Sequence, residues 1–255
     1  MTLIYTQQDA SQWATFSGDY NPIHFDLKKA QAMGLGGLTV HGMRALLDIK
    51  DHQDFSQGTE AYYRFIARLR HPVKCHTHYQ IAKTQNQSQL IESATGLCCF
   101  SGKLEQIAPP IVQPESADGH LTPDDILKMR QEYPFIKNIY EWSFLDAVLF
   151  RLIVQSPEIL PAIKGKLPDL NATTLADIFR ATPVVQTHHE IFFSGHYLLP
   201  APGANNFQYR MLPLLIMGDF AHGLVVRIAM QGHYDAIHSP ITTAITLKLL
   251  PMAKP

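Results

Sequence analysis

Asp19, Asn21 and His24 fall within six positions of one another near the amino end, in the stretch Phe16 to Met43, FSGDYNPIHFDLKKAQAMGLGGLTVHGM. An ionised carboxylate only accepts hydrogen bonds, whereas an imidazole donates or accepts near neutral pH. Such a pair can hold a water, take a proton from it and hand a proton on, which is general acid–base chemistry. Gly18 and Pro22 fit poorly inside a helix, so the three polar groups are expected on a shaped turn. Turn formation is the commoner role for Asp and Asn beside Gly and Pro, and a single His is more often structural than catalytic. Their occurrence together, in this order, shifts the balance toward chemistry.

The motif is wider than these three residues. Ser17-Gly18-Asp19-Tyr20-Asn21-Pro22-Ile23-His24-Phe25-Asp26, followed by Ala30, Gly34 and His41-Gly42-Met43, resembles the hydratase motif of the MaoC-like, (R)-specific enoyl-CoA hydratases. The resemblance covers the first hundred or so residues, weakens after the helix that follows Met43, returns at His71-Pro72-Val73 and does not extend into the second half. It implies a hot-dog fold and a hydro-lyase that adds water to a trans-2-enoyl thioester, giving a (3R)-hydroxyacyl thioester, or removes it in reverse. Asp19 and His24 would share the catalytic water, with Asn21 supporting the turn or the carboxylate. Enolate-like charge on the thioester oxygen needs a donor, expected from a backbone N–H near Gly42, where unpaired helix-terminal amides and the helix dipole coincide. His41 is expected to fix the loop. No cofactor and no metal are implied, and the carrier would be coenzyme A or an acyl-carrier protein. Dehydration of a 3-hydroxyacyl chain on a carrier protein is the nearest alternative. A nonenzymatic acyl-thioester-binding or assembly subunit and a thioesterase are the others.

The elements that must position these groups follow from periodicity. Residues 2–5 read as a strand and Gln7 to Thr15 as a helix; Asp26 can cap a helix over Leu27 to Met33 that Gly34 ends. From Met43 an apolar stripe at helical spacing runs through Leu46, Leu47 and Ile49-Lys50 and fades at Asp51. Strands are predicted at Tyr62 to Arg70, Val73 to Thr84, Gln89 to Thr95 and Leu97 to Ile107, which makes residues 1–108 a helix wrapped by an antiparallel sheet. Prolines 109, 110, 114 and 123 interrupt periodicity, so residues 109–124 read as a linker. In residues 125–255 a broad apolar stripe from Trp142 to Ile153 predicts a helix ending before Pro157, a short helix fits Thr174 to Arg180, and strands fit Val184 to Leu198, Phe207 to Met217, Leu224 to His233 and Ile241 to Leu250. The order repeats, so the expected class is α+β, a double hot dog whose second half completes the fold and shapes the acyl pocket without a second site.

Other segments offer weaker signals. Gly34-Leu35-Gly36-Gly37 follows no convincing βαβ strand and lacks a P-loop Lys-Ser/Thr ending, which argues against nucleotide binding. Arg64, Arg68 and Arg70 alternate on one strand face and read as solvated. His188 and His189 are neighbours on a strand and should face opposite sides, which disfavours joint metal ligation. Gly232 to His238 echoes the spacing of Gly18 to His24 without its acid or its proline, and Gly195-His196-Tyr197 has no helix bearing a catalytic carboxylate after it.

With 46% hydrophobic and 17% charged residues the chain suits a compact folded protein, and a formal net charge of -1 gives no footprint for nucleic acid. Cys75, Cys98 and Cys99 form neither a disulfide framework nor a zinc spacing. The N-terminus has no basic region followed by an apolar run, and no stretch is long enough to span a bilayer, so a cytoplasmic protein is expected, as a monomeric double hot dog or a homodimer of it.

Overall fold

The computed structural model describes residues 2–55, 58–84, 87–110, 116–135, 140–166, 171–200, 205–219 and 223–249. The first half runs β1 (Thr2–Ile4), α1 (Gln7–Ser17), a 3-10 turn over Pro22–His24, α2 (Leu27–Ala32), α3 (Gly42–Asp51), β2 (Tyr62–Leu69), β3 (His78–Lys83), β4 (Gln87–Glu92) and β5 (Cys98–Ile107). The second runs β6 (Gly119–Leu121), α4 (Pro123–Glu132), α5 (Glu141–Gln155), α6 (Leu160–Lys164), α7 (Leu175–Ala181), β7 (Val184–Ser194), a 3-10 turn over Gly195–Leu198, β8 (Phe207–Met211), β9 (Leu215–Asp219), β10 (Gly223–Tyr234) and β11 (Ile241–Leu249).

All the strands join one 11-stranded sheet in the order β1-β3-β4-β5-β2-β7-β11-β10-β8-β6, with β9 also on β10. Every pairing is antiparallel, and the halves meet where β2 lies against β7 from Tyr62↔Ser194 to Arg68↔His188. α3 packs on β4 and β5, and α5 packs on β10 and β11. Each helix is thus wrapped by its own half of the sheet, and the chain is a double hot dog. The sheet edges of the halves correspond: β1 pairs β3 on the outer edge of one, and β6 pairs β8 on the outer edge of the other.

Local chemistry explains the boundaries. Thr6 and Asp9 form a capping box at the start of α1, and Thr122 and Asp125 form the same box at the start of α4. Residues 119–124, read from sequence as part of the linker, hold β6 and the first turn of α4. Pro123 occupies the first helical position, where its missing N–H costs nothing. The strand expected over Phe207 to Met217 is two strands, β8 and β9, because Pro213 between them has no N–H to give the sheet. The expected strand to Leu198 ends at Ser194: a Cβ on Gly195 would lie 2.4 Å from the carbonyl oxygen of Gly58, so the chain turns there in close backbone contact. Residues 73–77 are not part of β3 either: residues 73–75 pair with the loop before α3, and His76 N donates to Tyr5 O.

The two central helices touch across the sheet seam, and a charge is buried there. Lys50 on α3 contacts Asp146 on α5, both fully buried. Asp146 also receives His189 Nε2 at 2.9 Å and Thr243 Oγ1 at 2.7 Å. Burial alone would raise the Asp146 carboxyl, but His189 and Lys50 beside it carry it well below the usual carboxylate range. The Lys50 position, which sequence periodicity places at the end of an apolar stripe, is therefore an interior cation rather than a packing residue. His188 is exposed while His189 is buried, as their alternation requires. On the outer face of the same seam Arg64 of β2 pairs Glu190 of β7 at 2.6 Å.

Candidate active site

α1 stops at Gly18, whose φ of +82° is open to glycine at no cost and whose N–H bonds Ala14 O at 2.8 Å. Behind this turn lies α5: a Cβ on Gly18 would meet the Gln155 side chain at 3.3 Å. The next residues fold by short-range side-chain bonds. Asp19 N donates to Ser17 Oγ at 3.1 Å, Asn21 N to Asp19 Oδ1 at 3.1 Å, and Ile23 N to Asn21 Oδ1 at 3.3 Å, so Asn21 caps the 3-10 turn that Pro22 opens. Asn21 also reaches the other half, donating from Nδ2 to Val184 O at the start of β7, 3.3 Å away. The turn carrying Asp19 and His24 is therefore tied to both halves.

His24 is held from the opposite side. Its Nδ1 lies 2.9 Å from Thr39 O, and since a carbonyl only accepts, Nδ1 carries the proton and Nε2 is bare. Thr39 is fixed in turn by a short ladder, Val40 N to Val73 O and Cys75 N to Leu38 O, both 2.9 Å. This ladder is why Val73 to Cys75 leave the path of β3. The same logic sets His41, whose Nε2 donates to the backbone carbonyl of Asp19 at 2.8 Å and whose buried Nδ1 has no hydrogen-bond partner among the described residues. The His24 and His41 rings lie against one another with centroids 3.7 Å apart.

Asp19, His24 and His41 bring their ligand atoms within 4.8 Å of one another, all buried. Burial pushes the Asp19 carboxyl up to about 7, opposed by the Asn21 N–H. Burial pulls His24 down to about 4, opposed by the Thr39 carbonyl, and pulls His41 well below its ordinary value, with His24 adding to the effect. Near neutral pH both imidazoles are neutral and Asp19 is poised between its two forms.

A cavity of about 300 Å³ opens in front of these groups, lined by Asp19, Asn21, His24 and Gly42 together. α3 begins at Gly42 without a side-chain cap, and Met43 beside it also lines the cavity, so uncapped first-turn amides adjoin the space. A Cβ at Gly42 would sit 2.5 Å from a Leu69 methyl. Leu69 and Phe100 make the near wall; Phe150, Phe179, Val184 and Leu247 from the second half make the far wall.

The four residues singled out from the motif thus reach one cavity, and His41 does fix the loop. Thr39 and the second-half wall were not singled out. Thr39 had a signal, since Leu38-Thr39-Val40 before His41 is a β-like triplet, whereas the wall depends on how β7 joins β2 and has no local signature. A bulge at Thr187 in β7, between the pairs Leu247↔Gln186 and Thr246↔His188, puts Gln186 and Thr187 in succession on the cavity. Arg70 also reaches the cavity, bonded to Ser101 Oγ at 2.8 Å, while Arg64 does not. Gly232 lies inside β10 against the Phe207 ring, so its echo of the motif spacing forms no turn.

Residues 2–47 match the family model described as MaoC like domain. A MaoC domain protein from Chloroflexus aurantiacus shares the fold at 9% identity, with a TM-score of 0.50 over 100% of this chain and 94% of that one. A protein described as a MaoC-like dehydratase is similar at 10% identity and a TM-score of 0.48, covering 98% of this chain and 96% of its own. A conserved protein of Mycobacterium tuberculosis described as having a double hotdog fold is similar at 11% identity and 0.47, covering 98% and 92%. None of the curated proteins compared with the chain matches it.

Proposed function

We propose that this chain, whose first segment is a MaoC-like domain, is a hydro-lyase that interconverts trans-2-enoyl and (3R)-hydroxyacyl thioesters. The observation that supports it is the convergence of Asp19, His24 and the uncapped start of α3 on one largely apolar cavity.

In the hydration direction a water lies between Asp19 and His24 and attacks C3 of the enoyl group. His24 Nε2, bare because Nδ1 is committed to Thr39, takes the water proton. Asp19, protonated below its raised pKa of about 7, supplies the proton to C2 from the same face. The amides at Gly42 and Met43 hold the charge that develops on the thioester oxygen. The proton on His24 then returns to Asp19 and the site is reset. The acyl chain lies along the apolar wall from Phe150, Phe179 and Leu247, so the second half forms the pocket and performs no chemistry. Coenzyme A or an acyl-carrier protein holds the thioester at the mouth.

The test is loss of the conjugated enoyl-thioester absorbance on adding protein, with short and long enoyl-CoAs and matching carrier-protein substrates. Asp19→Asn and His24→Ala are each expected to slow turnover by about 10²–10⁴-fold. Normal turnover in both variants, with an active wild type, would remove these residues from the mechanism.

A further inference from the structure

We propose that Asp19, His24 and His41 form a binding site for one late first-row divalent cation, of the Zn²⁺ or Co²⁺ class, whose occupancy blocks the water position of the proposed hydratase. The metal binding stands on geometry alone; only the block rests on the proposed function.

The donor set is of the right kind. Zinc takes imidazole nitrogen and carboxylate oxygen at about 2.0–2.2 Å, and sites with three protein ligands leave a fourth position for water. Here two imidazoles and one carboxylate come within 4.8 Å of one another, whereas tetrahedral ligands around such an ion stand roughly 3.3 Å apart. Binding an ion draws the ligand atoms together by up to about 1.5 Å.

Each ring also has its N–H committed to a carbonyl and one nitrogen left unprotonated. A ligating imidazole characteristically donates its other N–H to a carbonyl or carboxylate, which fixes the lone pair on the metal side. His24 donates from Nδ1 to Thr39 O, and His41 donates from Nε2 to Asp19 O. The nitrogens left bare are His24 Nε2 and His41 Nδ1, and the latter is buried with no partner among the described residues.

Charge favours the same occupant. Asp19 is buried, and no cationic side chain pairs with it among the described residues, so only the Asn21 N–H compensates its carboxylate. A dication supplies what the interior lacks, without requiring either histidine to be protonated.

The experiment is titration of chelator-treated, full-length protein with Co²⁺, read by its visible ligand-field absorption, with Zn²⁺ as competitor. The expected result is a signal saturating at one equivalent, abolished by Zn²⁺ and lost in both Asp19→Asn and His41→Gln. Asp19→Asn keeps the Oδ1 acceptor for Asn21 N and decides the matter if His41→Gln does not fold. No signal in the wild type, or a signal retained in either folded variant, overturns the site. Zn²⁺ should also suppress hydration, and a chelator should restore it. A metal-free wild type that binds Co²⁺ as described but hydrates no enoyl thioester counts against the proposed function, not the metal site.

Discussion

The two central helices both begin without a side-chain cap, but in different surroundings. α3 starts at Gly42 with no side-chain cap and faces a cavity. α5 starts at Glu141, whose buried carboxylate lies on the helix's own first turn and takes Arg130 Nη2 through both oxygens at 2.7 Å and Tyr234 OH at 2.7 Å. The space around that second start is packed with rings. Trp142 stacks on Phe193 with centroids 4.7 Å apart, and Phe55 meets Tyr140 and Tyr63 at 5.0 and 5.3 Å. The same architectural position thus opens on a cavity in one half and is filled by packed side chains in the other.

The strongest way to break this contrast is to remove a carboxylate from each position. Asp19→Asn should cost turnover about 10²–10⁴-fold. Glu141→Gln should lower stability yet leave turnover of the folded protein within about twofold, since none of the proposed proton transfers runs through it. Equal loss of turnover in both, measured on folded protein, would show that the second helix start also carries chemistry.

The next effect tests the seam between the halves. Lys50→Met leaves Asp146 buried without its nearest cation, and uncompensated interior charges of this kind cost about 3–5 kcal/mol. Urea unfolding should show that loss, and Lys50→Met combined with Asp146→Asn should recover part of it. A single-variant loss under about 1 kcal/mol would mean that His189 and Thr243 alone sustain the carboxylate.

How much of this was legible in the sequence follows from the range of the forces involved. The turn from Gly18 to His24 is built by bonds two or three residues long, so its composition announces it. The same is true of Asp26, which accepts Lys28 N and Lys29 N as its position before α2 suggests. A repeat was present but small: Thr6 with Asp9 and Thr122 with Asp125 each follow a short edge strand, and Pro123 disguises the second as a breaker. Lys50 is harder, because its partner is 96 positions away and a lysine at a helix end ordinarily reaches solvent. The far wall of the cavity had no local signal at all. Phe150 and Phe179 look like any core residues until β2 and β7 are joined.

The last prediction concerns charge balance, in which Asp19 differs from Asp146 and Glu141. Asp146 and Glu141 have cations beside them; Asp19 has a backbone N–H. Its folded pKa of about 7 stands above the unfolded value of 3.8. Between those values the folded state binds the extra proton, so this group's contribution to stability is present at low pH and is lost as pH rises toward 7. His24 acts in the opposite sense. With a folded pKa of about 4 against 6.5 unfolded, it favours unfolding on acidification through that window. His41, also pulled below its ordinary value, acts in the same sense as His24, so the wild type should gain stability with pH between about 4 and 6.5, less steeply than the two histidines alone would give because Asp19 opposes them. Asp19→Asn removes only the falling one, so its stability should climb more steeply with pH, gaining on the wild type by up to a few kcal/mol. The same two groups predict kcat/KM falling below about pH 4, as His24 becomes protonated, and above about pH 7, as Asp19 loses its proton. Denaturant unfolding of both proteins across that range checks the first statement and enoyl-thioester kinetics the second. Parallel stability curves for the two proteins would place Asp19 in a better-compensated environment than its single N–H provides, and would bring the buried carboxylates of the two halves closer in kind.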